Sequence, residues 1–371
     1  MNNVHGLIYA YHSYPGMGTL IDQRTGASMP FCGRYRLIDF ALSGMKNAGI
    51  TDVGVVMQSS YISLVDHLRG GRSWNLDRHN GGLHLLPPFG LAHVSKGAYA
   101  GSMEALSAVA GYLEDDIKQE YVLLTRGDLC ANVDMKAVID AHIASGADIT
   151  AVCTESVLPY PHNRFVLDNV GCVTEHLSCP GGSGRGVASL EMYVLSHEKL
   201  MKLVRWSMEG SYLFFHRDAL HYALQQGWRI KTVVHPGYAL HITRVEDYYR
   251  ANMDMLDPEK RHSLFTPERR VTTQTRSDVS TYYGDEAKVS NSLIADGCVI
   301  KGTVENCVIF RGVKVAPGAV LRDCIVLNDS EIGENVELKS VIADKNVTIA
   351  PYVCLSGSPK LPLVIPKGAH I

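Results

Sequence analysis

The sequence predicts an α/β domain with a mostly parallel sheet, followed by a C-terminal left-handed parallel β-helix. Two observations carry this prediction. Strand-like and helix-like segments alternate from residue 4 to about residue 256, which is typical of a parallel sheet with helices on both faces. From about residue 287 the pattern becomes a six-residue repeat, which is typical of a β-helix whose triangular coil is built from three short strands.

The alternating region contains apolar runs short enough for strands and longer segments with helical spacing. We predict strands at Val4–Tyr9, Asp52–Gln58, Tyr121–Arg126 and Asp148–Glu155, and helices at Arg36–Gly49, Gly101–Asp116 and Val133–Ser145. Ligands of such sheets bind at the carboxyl ends of the strands. The domain prediction is therefore 1–256 for the α/β domain, a polar and basic linker at 257–286, and 287–371 for the β-helix.

A row of aliphatic residues at multiples of six marks the β-helix. Its members are Val308, Val320, Val326, Ile332 and Leu338, with Lys314 as an interruption and Val341, Val347 and Val353 in a shifted frame. Turn dipeptides such as Asp296-Gly297 and Pro317-Gly318 separate the intervals. A β-sandwich is the weaker alternative, because sandwich strands alternate every two residues and hold no six-residue register.

Composition excludes several classes of function. The 371-residue chain has a net charge of −3 and no apolar run of membrane-spanning length, so we expect neither nucleic acid nor a membrane as partner. Its nine cysteines form no CxxC pair, which argues against a zinc site and a disulfide framework. The N-terminus lacks the features of a signal peptide, and we expect a cytoplasmic protein.

Six motifs spread over the chain resemble those of glucose-1-phosphate adenylyltransferases (ADP-glucose pyrophosphorylases). They are Pro30–Ser43 (PFCGRYRLIDFALS), Trp74–Arg78 (WNLDR), Gly81–Pro88 (GGLHLLPP), Tyr249–Asp254 (YRANMD), Tyr282–Asp285 (YYGD) and Asn291–Cys298 (NSLIADGC). The resemblance implies a Rossmann-like nucleotidyltransferase domain before the β-helix. It also implies the family reaction, in which glucose 1-phosphate attacks ATP with Mg²⁺ to give ADP-glucose and pyrophosphate.

The nucleotide side departs from the family pattern. Tyr11 and His12 stand where the family has the two glycines of its phosphate-binding loop, and Gly26 stands where it has a lysine. A similar string, Gly16–Leu20 (GMGTL), lies six residues too late and lacks the arginine. We interpret that string as a surface loop without a phosphate role.

The metal and sugar sides depart as well. Asp128 matches a Mg²⁺-binding carboxylate, but the second family carboxylate falls at His241, and an imidazole is a poor magnesium ligand. Cys179 replaces the lysine that holds the sugar phosphate, while Gly101 and Ser189 remain as remnants of the substrate side. Asp128 is either a remnant of the metal site or a structural residue that caps the loop before Val133.

These losses together resemble the GlgD-type, non-catalytic subunits of the family. We expect no catalytic residue and no cofactor in this chain, with Mg²⁺ needed only by the complex. The expected partner is a catalytic ADP-glucose pyrophosphorylase subunit, in a hetero-oligomer that is most simply a tetramer. The alternative is an active sugar-1-phosphate nucleotidyltransferase with an unorthodox site. A hexapeptide acyltransferase is excluded, because no histidine lies between His262 and His370.

Three arginines are candidates for binding a phosphorylated effector. Arg24 and Arg36 match positions that line an effector site in related enzymes, and Arg34 lies beside them. Guanidinium groups suit bidentate recognition of phosphate. The alternative is that these side chains are solvated or pair with Asp22 and Asp39.

Overall fold

The computed structural model describes residues 3–58, 60–87, 99–156, 158, 162–179 and 185–371. These residues form two compact units, and neither is a continuous stretch of chain. The first unit takes residues 1–12, 38–240 and 266–272, and the second takes 13–37, 241–265 and 273–371. Each unit has its own hydrophobic core.

A nine-stranded sheet forms the centre of the first unit. Its strands are Val4–Tyr9, Asp52–Val56, Gly82–Leu86, Tyr121–Arg126, Ile149–Thr154, His162–Leu167, Val173–Cys179, Val187–Ser196 and Ile230–Val234. Val4–Tyr9 is parallel to both of its neighbours, Asp52–Val56 and Tyr121–Arg126. Val187–Ser196 runs antiparallel to Tyr121–Arg126 and begins an antiparallel extension. The predicted mostly parallel sheet is confirmed.

Helices pack on this sheet. In the described part of the first unit the α-helices are Ile38–Asn47, Ile62–Leu68, Ser102–Ala108, Ala110–Asp115, Met135–Ser145, His197–Gly210 and Leu220–Gln225. The single helix predicted over 101–116 is two helices, because the backbone leaves the helical region at Val109 (φ −110°, ψ 20°). The side chain of Asp134 caps Met135–Ser145 by accepting a hydrogen bond from the Ala137 N–H.

Three parallel five-stranded sheets form the β-helix of the second unit. Its strands are Tyr282–Tyr283, Lys288–Ser290, Leu293–Ile294, Val299–Ile300, Thr303–Glu305, Val308–Ile309, Lys314–Val315, Val320–Arg322, Ile325–Val326, Glu331–Ile332, Glu337–Lys339, Val341–Ala343, Thr348–Ile349, Cys354–Ser356 and Leu363–Ile365. Each strand pairs in parallel with the third strand after it, as Lys288–Ser290 does with Thr303–Glu305. The predicted β-helix is confirmed.

The predicted six-residue row is partly out of register, because the central coils are 17 residues long. Successive core residues are Ile309, Val315, Leu321, Val326, Ile332 and Leu338, at intervals of six, six, five, six and six. The row was right at the last three positions. Before them, Leu321 lies in the core where Val320 was predicted, and Val315 replaces the interruption at Lys314. One side of each triangle is a residue shorter than the other two.

Two more segments complete the second unit. Residues 13–37 include the 3₁₀-helix Pro15–Ile21 and the paired strands Pro30–Phe31 and Tyr35–Arg36. The helix Val245–Asp254 contacts this segment through the Tyr248 hydroxyl, which donates to the Pro30 carbonyl at 2.8 Å.

The stretch predicted as a linker, 257–286, is partly ordered into regular structure. It contains the helix Pro258–Leu264 and the first β-helix strand, Tyr282–Tyr283. The Asp257 side chain caps this helix and Pro258 is its first residue. An aspartate followed by a proline is a sequence signal for the start of a helix, but the segment lacks the helical spacing of apolar residues by which the other helices were predicted. No helix in the described parts of the chain is long and apolar enough to span a membrane.

Candidate functional site

The carboxyl ends of two central parallel strands carry a buried charge network in the first unit. Tyr9 and Arg126 are paired at the ends of Val4–Tyr9 and Tyr121–Arg126. The Gly127 N–H donates to the Tyr9 carbonyl at 2.7 Å and turns the chain, so Asp128 faces back towards Arg126. Polar groups therefore gather where a parallel sheet is expected to hold its ligand.

The Arg126 guanidinium is held by two carboxylates. Its Nε and Nη2 donate to the two Asp128 carboxylate oxygens, each at 2.9 Å, and its Nη1 donates to Glu191 Oε2 at 3.0 Å. Arg126 is 7% exposed and Asp128 is fully buried. Although burial alone lowers the pKa of Arg126, the two carboxylates raise it above its ordinary value. The site therefore holds a permanent internal cation.

A distortion of the strand Val187–Ser196 brings Glu191 to this cation. The strand register shifts between Ser189 and Met192, and Glu191 has a φ of 52°, in the left-handed region that favours glycine. The Ser189 hydroxyl accepts a hydrogen bond from the Glu191 N–H at 3.1 Å, which stabilises the bulge. Glu191 Oε1 accepts a further bond from Asn163 Nδ2 at 3.0 Å. Ser189, predicted as a substrate-side remnant, thus supports the position of Glu191.

These residues do not fit a magnesium ion. Both Asp128 oxygens already accept charge-assisted hydrogen bonds from one guanidinium, and a second cation on them would be repelled by it. Among the residues the structure describes, no group of three or more histidine, cysteine, aspartate or glutamate side chains is arranged to hold a metal ion. The cap of the helix Met135–Ser145 is Asp134, while Asp128 binds Arg126; the predicted capping of the loop before Val133 by Asp128 stays a prediction.

Aromatic rings fill the place where the chain leaves the first strand. Tyr11 is 4% exposed, stacks on the His12 ring with centroids 4.3 Å apart, and meets the Tyr9 and Tyr99 rings edge-on. Burial, and then the nearby Arg126, lower the pKa of His12 to about 4. His12 is therefore neutral at pH 7 and supplies no charge to a triphosphate.

Gly101 has a packing role in the structure. It precedes the helix Ser102–Ala108, and a Cβ added there would lie 2.2 Å from the Leu213 carbonyl oxygen. The Met103 N–H donates to that same carbonyl at 2.8 Å. The glycine is needed because two backbone segments meet there, and it is not joined to the Arg126 network by any hydrogen bond in the described residues.

Other sequence-predicted positions lie elsewhere. The Gly16–Leu20 string belongs to the second unit and lies within the 3₁₀-helix Pro15–Ile21; Gly16, Gly18 and Thr19 are exposed at the surface, as predicted, while Met17 and Leu20 are buried. His241 is a buried residue at the end of the strand Ala239–His241. The side chain of Cys179 and all of Pro88 lie outside the described part of the chain.

The three candidate effector arginines fall into two separate clusters of the second unit. Arg24 is 3% exposed, and its Nη2 donates to both oxygens of the fully buried Asp344, at 2.9 and 3.0 Å. Arg24 therefore pairs with Asp344 and not with Asp22. Arg34 instead pairs with Asp296 at 3.0 Å, on the surface.

A lysine that sequence reasoning missed completes the first cluster. Burial, and then the guanidinium groups of Arg36 and Arg24, lower the pKa of Lys345 to about 7. The Lys367 ammonium also lowers the pKa of Lys345, whereas the Asp344 carboxylate raises it. Lys345 therefore lies near three other cations, Arg24, Arg36 and Lys367, and a concentration of positive charge of this kind suits an anion.

Sequence reasoning also missed Arg126 and Glu191. Arg126 stands directly before the Gly127-Asp128 pair, and a cation next to a presumed metal ligand is a signal that was present in the sequence. Glu191 could not be found in that way, because its role depends on a strand bulge and a positive φ.

Comparisons with known proteins agree with this architecture. The nucleotidyl transferase family model matches residues 23–164, and the GlmU-like C-terminal hexapeptide model matches residues 277–358. The chain is 32% identical to the glycogen biosynthesis protein GlgD of Bacillus subtilis, over 94% of this chain and 91% of that protein. It is 34% identical to a glucose-1-phosphate adenylyltransferase of Pseudothermotoga lettingae over 86% of this chain and 77% of that one, and 31% identical to that of Bacillus mycoides over 87% and 86%.

Proposed function

Because the chain belongs to the glucose-1-phosphate adenylyltransferase family, we propose that it is a regulatory, non-catalytic subunit in the synthesis of ADP-glucose for glycogen. It acts in the cytoplasm with a catalytic homologue, in a hetero-oligomer that is most simply a tetramer. In this proposal Mg²⁺ serves the catalytic subunit. The similarity to a protein named for glycogen biosynthesis, extending over nearly the whole chain, supports the assignment.

The observation that carries the proposal is the engagement of Asp128 by Arg126. Adenylyl transfer needs cations that neutralise the charge developing on the phosphates of ATP. The Arg126 guanidinium at this strand end already donates three hydrogen bonds to carboxylates of its own chain. The adjoining position is occupied by Tyr11 and a neutral His12. Among the residues that the structure describes, this strand end therefore offers a nucleotide neither a set of metal ligands nor an uncommitted positive charge.

Regulation is the second part of the proposal. The cluster of Arg24, Arg36, Lys345 and Lys367 binds a phosphorylated effector, and Arg34 does not take part because its partner is Asp296. Binding that favours one conformation of an assembly changes the activity of its catalytic subunits without any catalytic group in the regulatory chain. The anion would replace the repulsion among these cations with charge-assisted hydrogen bonds.

The remaining alternative is an active sugar-1-phosphate nucleotidyltransferase with an unorthodox site. Turnover by the isolated chain distinguishes the two. Purified chain with ATP, glucose 1-phosphate and Mg²⁺ should release no measurable pyrophosphate, while the catalytic homologue under the same conditions serves as the positive control. Turnover of the isolated chain on the order of 1 s⁻¹, typical of an ordinary enzyme, would support the alternative.

Assembly is tested by co-expressing the chain with the intact homologue. Size-exclusion chromatography with mass measurement should show one species containing both chains, and its activity or effector response should differ from that of the homologue alone. Separate elution of the two chains, with unchanged kinetics of the homologue, would contradict the regulatory role.

A further inference from the structure

A second group of arginines lies at the first coils of the β-helix. Arg34 pairs with Asp296 at 3.0 Å, while Arg276 and Arg311 share the carboxylate of Asp278, with Nε–Oδ2 distances of 3.4 and 3.5 Å. All five residues belong to the second unit. They share no residue with the cluster around Lys345.

Arg311 is buried without adequate partners. Its side chain is 8% exposed, yet its only ion-pair contact in the described residues is the 3.5 Å approach to Asp278. Neither Arg311 Nε nor Asp278 Oδ2 has a hydrogen-bond partner in the structure, although both atoms are buried. A buried charged donor without a hydrogen bond is costly and calls for an explanation.

The charges of the cluster do not balance. Three guanidinium groups face two carboxylates, which leaves one positive charge in excess. Burial, and then the Arg34 guanidinium, lower the pKa of Arg311, so the electrostatic environment disfavours its charged form. An anion bound here would remove both the excess charge and the unsatisfied donor.

The coil geometry fixes these side chains at one corner of the β-helix. Ile294 pairs with Ile309 in register, so Asp296 and Arg311, each two residues later, occupy equivalent positions on adjacent coils. Adjacent strands in a sheet are about 4.8 Å apart. Gly297 and Gly312 follow at equivalent positions, both with positive φ, which closes each corner tightly. Asp296 and Arg311 are therefore presented by adjacent coils of the β-helix.

We propose that Arg34, Arg276 and Arg311 form a binding site for a phosphoryl oxyanion. Tetrahedral phosphate oxygens match the fork of a guanidinium group, and three such groups can engage one anion from different sides. The Arg34 and Arg276 side chains are each 43% exposed and can reorient towards the ligand, while the buried Arg311 side chain lies at the base of the site. The site is independent of the proposed regulatory function and of the cluster at Lys345.

The test is titration of the full chain with inorganic phosphate by isothermal calorimetry at constant ionic strength. A Lys345→Gln background removes one of the four cations of the other cluster and so weakens phosphate binding there. In that background phosphate should still bind saturably, and Arg276→Gln should weaken binding about tenfold or more, as expected for loss of a charge-assisted contact. Arg322→Gln is the matched control, because Arg322 is an exposed β-helix arginine paired with Glu305.

A second variant guards against effects on folding. Arg311→Lys keeps the charge but loses the fork, and should weaken phosphate binding while the thermal unfolding transition stays cooperative. The proposal is overturned if the Lys345→Gln chain does not bind phosphate saturably, or if Arg276→Gln and Arg322→Gln weaken binding equally. Equal weakening would mean that the anion responds only to overall charge, which salt would screen.

Discussion

Replacing Arg126 by methionine should destabilise the first unit strongly. The change removes the three hydrogen bonds that Arg126 donates to Asp128 and Glu191, and leaves the fully buried Asp128 carboxylate without its cation. Breaking a buried ion pair on one side costs about 3–5 kcal/mol. With a urea dependence of about 2 kcal/mol per molar, the unfolding midpoint should fall by about 1.5–2.5 M.

Tryptophan fluorescence isolates this effect. The chain has three tryptophans, Trp74, Trp206 and Trp228, and all belong to the first unit. Arg205→Met is the matched control, because the Arg205–Glu114 pair is more than half exposed on both sides and such pairs contribute about 0–1 kcal/mol.

A double variant tests whether the loss of stability comes from the buried Asp128 charge. Arg126→Met with Asp128→Asn should be more stable than Arg126→Met alone, because the second change removes the unpaired buried charge. If Arg126→Met and Arg205→Met lower stability equally, Arg126 does not neutralise a buried carboxylate and the argument fails. The argument also fails if the double variant is less stable than the single one.

Two further predictions concern other features described above. Gly101→Ala should lower the stability of the first unit by about 1–3 kcal/mol, because the added Cβ would lie 2.2 Å from a backbone oxygen. Gly111→Ala is the control and should be neutral or stabilising, because a Cβ there meets nothing within 4 Å. Equal losses of stability in the two variants would contradict the packing explanation. Binding of the effector by the wild-type complex should weaken from pH 7 to 9, because Lys345, whose pKa is lowered to about 7, loses the proton that binds the anion. The stability of the unliganded chain should rise over the same interval, because the unfolded chain, with an ordinary lysine pKa, holds more protons there. A phosphate monoester is already dianionic between pH 7 and 9, so Lys345→Arg should abolish the pH dependence of effector affinity. Arg36→Gln should weaken effector binding at every pH. A wild-type affinity that does not change with pH would contradict the role of Lys345.

The fold could be predicted from the sequence to the extent that it follows from local periodicity. The strands Val4–Tyr9 and Tyr121–Arg126 were predicted to the residue, because an apolar run bounded by polar residues defines a central strand. The 17-residue coil could not be recovered, since the apolar residues on both sides of Val320 fit a six-residue row equally well. In the structure Leu321 pairs with Leu338 and Val320 pairs with Glu337, and this register shows that Leu321 faces the axis of the β-helix.

The candidate site was harder to predict because its charges are paired by tertiary contacts. The sequence indicates what is missing, namely the glycines at Tyr11 and His12 and the lysine at Gly26. It does not indicate what fills the space. Arg126 and Asp128 are two residues apart, but Glu191 reaches them from 65 residues away through a strained bulge. The partners of Arg24 and Arg34 were hidden for the same reason, since these neighbours in sequence pair with carboxylates on different coils, Asp344 and Asp296.

The discontinuous course of the chain has a consequence for its synthesis. Arg24 is separated from its partner Asp344 by 320 residues, so the ribosome must add 320 further residues before this pair can form. At about 5–20 residues per second, that interval is roughly 15–60 s. The second unit is therefore completed long after its first segment, residues 13–37, has been synthesised.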